Sequence, residues 1–343
     1  MLTSKAAILQ CSNQELLIAE INVPEILLDR QVLVKISYSS ICGSQIGEIQ
    51  AIKGPDRYLP HLLGHEGVGT VIKVGPEVSR IKIGDRVVMH WMKNNEPDAT
   101  NPKYTLGDIS INAGPIATFS EYAIISENRL TCVEIDIDDS KLAFLGCGAL
   151  TAYGVLVNDL KATLEDSLLI IGAGGIGAIT LLMAQSLGFT KVNITDQNLD
   201  KIKFIEKISN SISLTFSKFN EGSNKYTNII DTTGNTSIIE KSYEALNKKG
   251  TLCLVGVTPV GETIRIDPMP LHYGKAIVGS FGGSVYPFED IHEITNMIMT
   301  NRFDPLLLSS TTISLNQINE SINLMQMGKI SGKILIKIKQ SNN

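Results

Sequence analysis

Three residues of the kinds that hold a soft divalent metal stand far apart in the chain: Cys42, His65 and Cys147, separated by 23 and 82 residues. A cysteine such as Cys42, in SSICGSQ just after the strand-like run VLVKISY, could be a buried filler, half of a disulfide, a nucleophile or a metal ligand. Taken singly, each cysteine reads first as a small core hydrophobe. Taken together, two thiolates and an imidazole would satisfy a catalytic zinc, which takes three protein ligands and keeps one position open. Such a metal polarises a carbonyl or helps to deprotonate an alcohol, chemistry that hydride transfer needs. Glu66 follows His65 directly in GHEGVG, and Ser44 lies two residues after Cys42. His61 and His65 are also four apart, but Pro60, Gly64 and Gly67 argue against a two-histidine helix face.

A second constellation is local. GAGGIG, Gly172 to Gly177 with Gly174, Gly175 and Ile176 between, fits G-x-G-x-x-G. It follows the buried-strand run LLII and opens the helix-like IGAITLLMAQSLG, and Asp196 ends the next strand 19 residues beyond Gly177. In that setting the first glycine allows a tight turn, the second lets the backbone approach a pyrophosphate, and the third lets helix and strand pack closely. The helix N-terminus offers free N–H groups and positive dipole to the phosphates. Asp196 can accept the ribose hydroxyls and repels a 2′-phosphate; with no Arg or Lys in the four positions after it, NAD is expected over NADP. Lys201 is near enough to reach the adenosine ribose or phosphate.

The elements that must position these groups fall into two styles. The first third is strand-like, with GVGTVIKVG, the turn GPEVSRIKIGD and RVVMHW, which suggests a compact β barrel or sandwich. From about Asn94 to Thr105 the text is polar with two prolines and reads as a surface loop. Beyond Leu150, strands LLII, VNIT, NIID and TLCLVGV alternate with helical stretches, the pattern of a parallel sheet with crossover helices. The tail, from about Ile291, reads as a helix, a short extended piece, a helix from Leu315 to Met327 and the strand KILIKIK.

The chain has 343 residues, too many for one ordinary core, so two domains are expected. A net charge of −5 gives no basic field, which speaks against nucleic acid or an anionic membrane as partner. Five widely spaced cysteines argue for a reducing compartment, the cytoplasm, and MLTSKAAILQ has no apolar stretch of signal-peptide length. Ser167 to Thr190 lacks charge and is long enough to span a bilayer, but its clustered glycines carry the other meaning given above.

CGSQ, LPHLLGHEGVGTVIKVG, IGDRVVM, TFSEYA, GCGALTAYG and GAGGIG occur in the order found in the medium-chain zinc alcohol dehydrogenases, which the chain resembles from roughly Val32 to Ile338. The resemblance implies an α/β chain: a GroES-like β-barrel catalytic domain (1–149 and 286–343) with an inserted Rossmann doubly wound domain (150–285). It implies Cys42, His65 and Cys147 as ligands of one catalytic zinc, with Glu66 beside it as an alternate or outer ligand. Ser44 matches the hydroxyl that takes the substrate's proton, Lys333 an arginine near Glu66 and the cofactor phosphates, and Trp91 a residue narrowing the substrate pocket. It further implies NAD-linked oxidation of a small alcohol, or reduction of its carbonyl, in a homodimer or homotetramer joined through the AIVGSFGGSVY region, Ala276 to Tyr286.

The chain departs from its relatives in several places. Val87 to Glu121 contains no cysteine, so no structural zinc is expected. Gln45 stands where an aspartate usually bonds the ligating histidine, and Gly43 and Gly47 replace a phosphate-binding cation and a relay histidine. Three other readings compete. ICGSQ is close to the form seen in polyol and sugar dehydrogenases, although those use glutamate where Cys147 stands. A zinc-free quinone or enone reductase would use NADPH and lack the ligand set. A nucleotide-binding relative without catalysis would have kept the fold alone.

Overall fold

The computed structural model describes residues 2–209, 212–215 and 226–338. The strands in chain order are β1 (Thr3–Leu9), β2 (Leu17–Asn22), β3 (Gln31–Ile41), β4 (His61–Leu62), β5 (Gly67–Val74), β6 (Arg86–Met89), β7 (Lys103–Leu106), β8 (Ile109–Asn112), β9 (Tyr122–Ser126) and β10 (Leu130–Cys132). Then follow β11 (Leu168–Ile171), β12 (Val192–Asp196), β13 (Ile212–Thr215), β14 (Tyr226–Asp231), β15 (Leu246–Leu254), β16 (Ala276–Gly279), β17 (Ser309–Ile313) and β18 (Lys333–Lys337). Helix α1 spans Gly43–Ile49.

The chain divides into two compact units. One runs to Cys147 and resumes at Tyr286–Met299 and from Asp304 onward; the other is Gly148–Val285 with Thr300–Phe303. In the first unit β1, β2, β7, β8 and β4 close a barrel, beside a sheet ordered β10-β6-β5-β3-β18-β17 with β9 also pairing β3. The long strand β3 organises both layers because its side chains alternate. Val32, Val34 and Ile36 enter one apolar cluster with Val87, Met89 and Ile334, while Leu33 enters the other with Ile8, Tyr104 and Ile111. Each such aliphatic side chain contributes roughly 1.5–3 kcal/mol by leaving water. Irregularities between Leu33 and Val34 and between Ile36 and Tyr38 bend β3 where it meets β5.

The segment from Asn94 to Thr105, expected as surface loop, ends differently. Lys103–Leu106 is β7, and its hairpin with β8 closes the barrel through Asn22↔Thr105 and His61↔Asn112. Alternation is too short there to register as sequence pattern, yet Tyr104 and Ile111 are fully buried.

The second unit holds a six-stranded sheet ordered β13-β12-β11-β14-β15-β16, every pair parallel. In chain order this is the 3-2-1-4-5-6 arrangement of a doubly wound dinucleotide fold. Strand β11 is buried at all four positions, as a central parallel strand covered on both faces must be. Among the described residues no helix is long and apolar enough to cross a membrane. The uncharged stretch from Ser167 to Thr190 is divided between β11, a glycine turn and the helix Gly175–Leu187.

Candidate functional site

The first unit brings Cys42, His65 and Cys147 together from three places. Cys42 follows β3 and caps α1, His65 lies between β4 and β5, and Cys147 sits in a π-helical turn, Leu145–Ala149. Their donor atoms all lie within 4.8 Å of one another, with the two sulfurs 4.0 Å apart. His65 Nε2 is buried and has no hydrogen-bond partner. An imidazole nitrogen left bare beside two sulfurs is costly unless something electrophilic occupies the gap, so the donor set fits a thiolate-preferring divalent metal.

Without a metal, these groups distort one another. The Cys147 thiol bonds to Cys42 and holds Cys42 well below the usual thiol range, against the opposing effect of burial and with help from His65. The same bond, burial and the Cys42 charge push Cys147 well up. The two thiols are thus driven in opposite directions, Cys42 down and Cys147 up. Burial alone would lower His65, but the neighbouring Cys42 sulfur and the Glu66 charge outweigh it and raise the imidazole.

The residues around this group are tightly fixed. Gly146, next to Cys147, has no room for a side chain: a Cβ would lie 2.0 Å from the Met89 carbonyl oxygen and 3.0 Å from Glu66 Cβ. Glu66 is fully buried; the Lys333 ammonium and the Ser40 hydroxyl both donate to its Oε1. Burial disfavours the charged Lys333, but the Glu66 carboxylate overcomes this and raises the lysine. Ser39 and Thr118 hydroxyls donate to the Glu66 carbonyl at 2.9 and 3.0 Å. Ser39, Ser40 and Thr118 lie in or beside quoted motifs, but only the folded contacts reveal what their hydroxyls do.

Gln45 departs from the role of the aspartate it replaces. As the third residue of α1 it reaches back, and its Oε1 accepts from Cys42 N at 2.8 Å, half of a capping box. Its Nε2 is buried without a partner. Ser44 is exposed on the first turn of α1. Trp91 is half-buried, and its backbone N–H donates to the Gly146 carbonyl at 3.2 Å, one residue from Cys147. His61 begins β4 and His65 follows that strand, so the pair shares no helix face.

The second unit holds the glycine loop. Gly172 adopts φ +97°, and a Cβ on Gly177 would meet the Gly172 carbonyl oxygen at 1.8 Å, so both positions require glycine. At Gly174, by contrast, a Cβ would meet nothing within 4 Å. The loop therefore leaves open space at the position where backbone would face a phosphate, with Gly175 and Ile176 opening the helix. Asp196 ends β12 and braces this loop: its Oδ2 accepts from Ala173 N and its Oδ1 from Asn198 N, each at 2.8 Å. Lys201 Nζ stands 4.0 Å from Asp196 Oδ2. The open space at Gly174 and the helix N-terminus that follows it fit a dinucleotide.

Two family models match successive stretches of the chain. Residues 28–136 match the alcohol dehydrogenase GroES-like domain, and residues 159–320 match the glucose dehydrogenase C-terminus. The two matched stretches together span most of the chain, and both are dehydrogenase domains. The chain is 24% identical to an alcohol dehydrogenase class-3 of Cereibacter sphaeroides, covering 89% of this chain and 92% of that protein. It is 25% identical to an S-(hydroxymethyl)glutathione dehydrogenase of Paracoccus denitrificans, over 87% and 90%. Among solved structures, benzyl alcohol dehydrogenase from Acinetobacter calcoaceticus superposes with a TM-score of 0.87 at 24% identity, covering 99% of this chain and all of that one. An alcohol dehydrogenase zinc-binding domain protein from Burkholderia ambifaria reaches 0.90 at 20% identity, with the same coverage.

Proposed function

We propose that this medium-chain dehydrogenase interconverts a small alcohol and its aldehyde or ketone with NAD, using one catalytic zinc held by Cys42, His65 and Cys147. The observation that carries the reading is the convergence of those three donors with His65 Nε2 unpartnered. Zinc there would supply Lewis acidity toward the substrate oxygen. NAD, on the Gly172–Gly177 loop with Asp196 and Lys201 at the ribose, would supply the hydride acceptor. Ser44, exposed beside Cys42, accepts the proton leaving the substrate hydroxyl and passes it to water. Glu66 keeps a negative charge next to the ligand group, and Lys333 with Ser40 prevents that carboxylate from swinging. Trp91, anchored to the Cys147 segment, narrows the substrate's space. In this reading residues 1–149 with 286–343 are catalytic and 150–285 bind the dinucleotide. A reducing cytoplasm would keep both thiolates available.

Elemental analysis of protein purified without chelator should give one zinc per chain at this site. Cys42→Ser should lose it together with at least a 100-fold fall in kcat/KM, about 2.7 kcal/mol of transition-state stabilisation. Retention of both zinc and activity in that variant would sink the proposal. A second reading, polyol or sugar oxidation, is favoured by the glucose dehydrogenase match over 159–320. NADH formation with primary alcohols on one side and polyols and aldoses on the other separates the two. Nucleotide binding without turnover across the whole panel would instead mark a relative that has lost its chemistry.

A further inference from the structure

We propose that Glu48, Asp56 and His61 form a second divalent-cation site, independent of the Cys42–His65–Cys147 group and of the function proposed for it. The three come from α1, the following loop and the first residue of β4. His61 Nε2 lies 2.8 Å from Asp56 Oδ2 and 3.9 Å from Glu48 Oε1, and the three donor atoms lie within 4.8 Å of one another. Burial is graded: His61 is buried, Asp56 half-buried and Glu48 open to solvent, so one side of the cluster remains an entry path.

Hydrogen accounting at His61 points to a cation. Its Nδ1 is 2.9 Å from the Leu62 carbonyl oxygen, which can only accept, so Nδ1 carries a hydrogen. An imidazole with that tautomer presents a lone pair at Nε2, and the atom facing it is a carboxylate oxygen, also an acceptor. Two acceptors 2.8 Å apart need a positive centre, either a second ring proton or a metal ion. A second ring proton satisfies the pair as a hydrogen bond, and the outer contacts of both groups are equally those of metal ligands. The backbone N–H of Tyr58 donates to Asp56 Oδ1 at 2.8 Å, which leaves Oδ2 directed at His61. The ring and this carboxylate each have the outer hydrogen bond that orients metal ligands. Burial, followed by the Asp56 charge, raises the Glu48 carboxylate even though His61, His65 and Lys53 oppose it. A divalent cation among these three donors would offset both the burial of the Glu48 carboxylate and its proximity to Asp56.

One nitrogen and two carboxylates form a harder donor set than two thiolates and an imidazole. It suits Mn2+ or Zn2+ and would take Mn2+ where the thiolate group would not. Mn2+ is therefore the probe: the free-ion electron paramagnetic resonance signal is followed as Mn2+ is titrated into the purified protein, its other metal left in place. We expect one Mn2+ bound per chain, at least 10-fold weaker binding in His61→Ala, and a similar loss in Glu48→Gln, a nearly isosteric change at an exposed position. Cys42→Ser should leave Mn2+ binding unchanged, so failure of the zinc proposal would not disturb this one. No stoichiometric binding up to about 1 mM, the weak end of useful cation sites, would overturn the proposal. Equal binding in folded Glu48→Gln and His61→Ala would overturn it as well.

Discussion

Single side chains here are set by what they are buried beside. His90 is fully buried; its Nδ1–H donates to the Met92 carbonyl at 2.6 Å, and its Nε2 accepts from the Thr131 hydroxyl at 3.1 Å. Burial pulls its pKa down to about 4, and Arg129 and Arg80 add to the effect. The unfolded chain binds a proton at this ring below about pH 6.5, while the folded chain does not until about pH 4. Stability from this group is therefore complete above pH 6.5 and is lost as the pH falls toward 4, by roughly 3 kcal/mol in all. Urea titrations at pH 7 and pH 5 should show about 2 kcal/mol of that loss in the parent, and His90→Gln should lose less over the same interval. The ligand residues show how far such effects were legible. Cys42, His65 and Cys147 could be picked out by type, but the opposite shifts of the two cysteines arise only because their sulfurs meet across 105 residues.

At the scale of elements, the glycine loop was the most readable part, because strand, turn and helix N-terminus are contiguous and each glycine answers a local demand. Gly177 is the sharpest case. Gly177→Ala would drive a Cβ against the Gly172 carbonyl, a backbone atom that cannot rotate away. NADH affinity measured by fluorescence titration should fall at least 10-fold, while zinc content stays unchanged because every proposed ligand lies in the other unit. Parental affinity in that variant would count against the loop as the dinucleotide site. The hairpin β7–β8 was the least readable element. Its strands are four residues each, and they are held by pairing with β2 and β4, partners distant in the chain. Gln45 is intermediate: its place as third residue of α1 explains why it caps the helix, but the helix start itself depends on where β3 ends.

For the whole molecule, the assembly question rests on the outer edge of the parallel sheet. Strand β16 is the last in the order, is only partly covered, and is followed by Phe281, 69% exposed. Val257 and Val260, in the loop after β15, are also exposed. An uncovered edge strand with apolar neighbours is the kind of surface that pairs with another chain. Light scattering should report a dimer or tetramer, and Phe281→Glu should shift it toward monomer; an unchanged mass would place the interface elsewhere. By itself the sequence determined the dinucleotide fold, its loop, the acid after the second strand and the kinds of residue available for metal chemistry. Backbone dihedrals, capping and hydrophobic alternation act over a few residues and leave their mark in the text. Only the tertiary structure decided which cysteines and histidine converge, how Ser40 and Lys333 hold Glu66, and that Glu48, Asp56 and His61 meet. The contacts at the cysteines and at Lys333 close long loops, and the geometry of all of them is fixed by packing that no local pattern records.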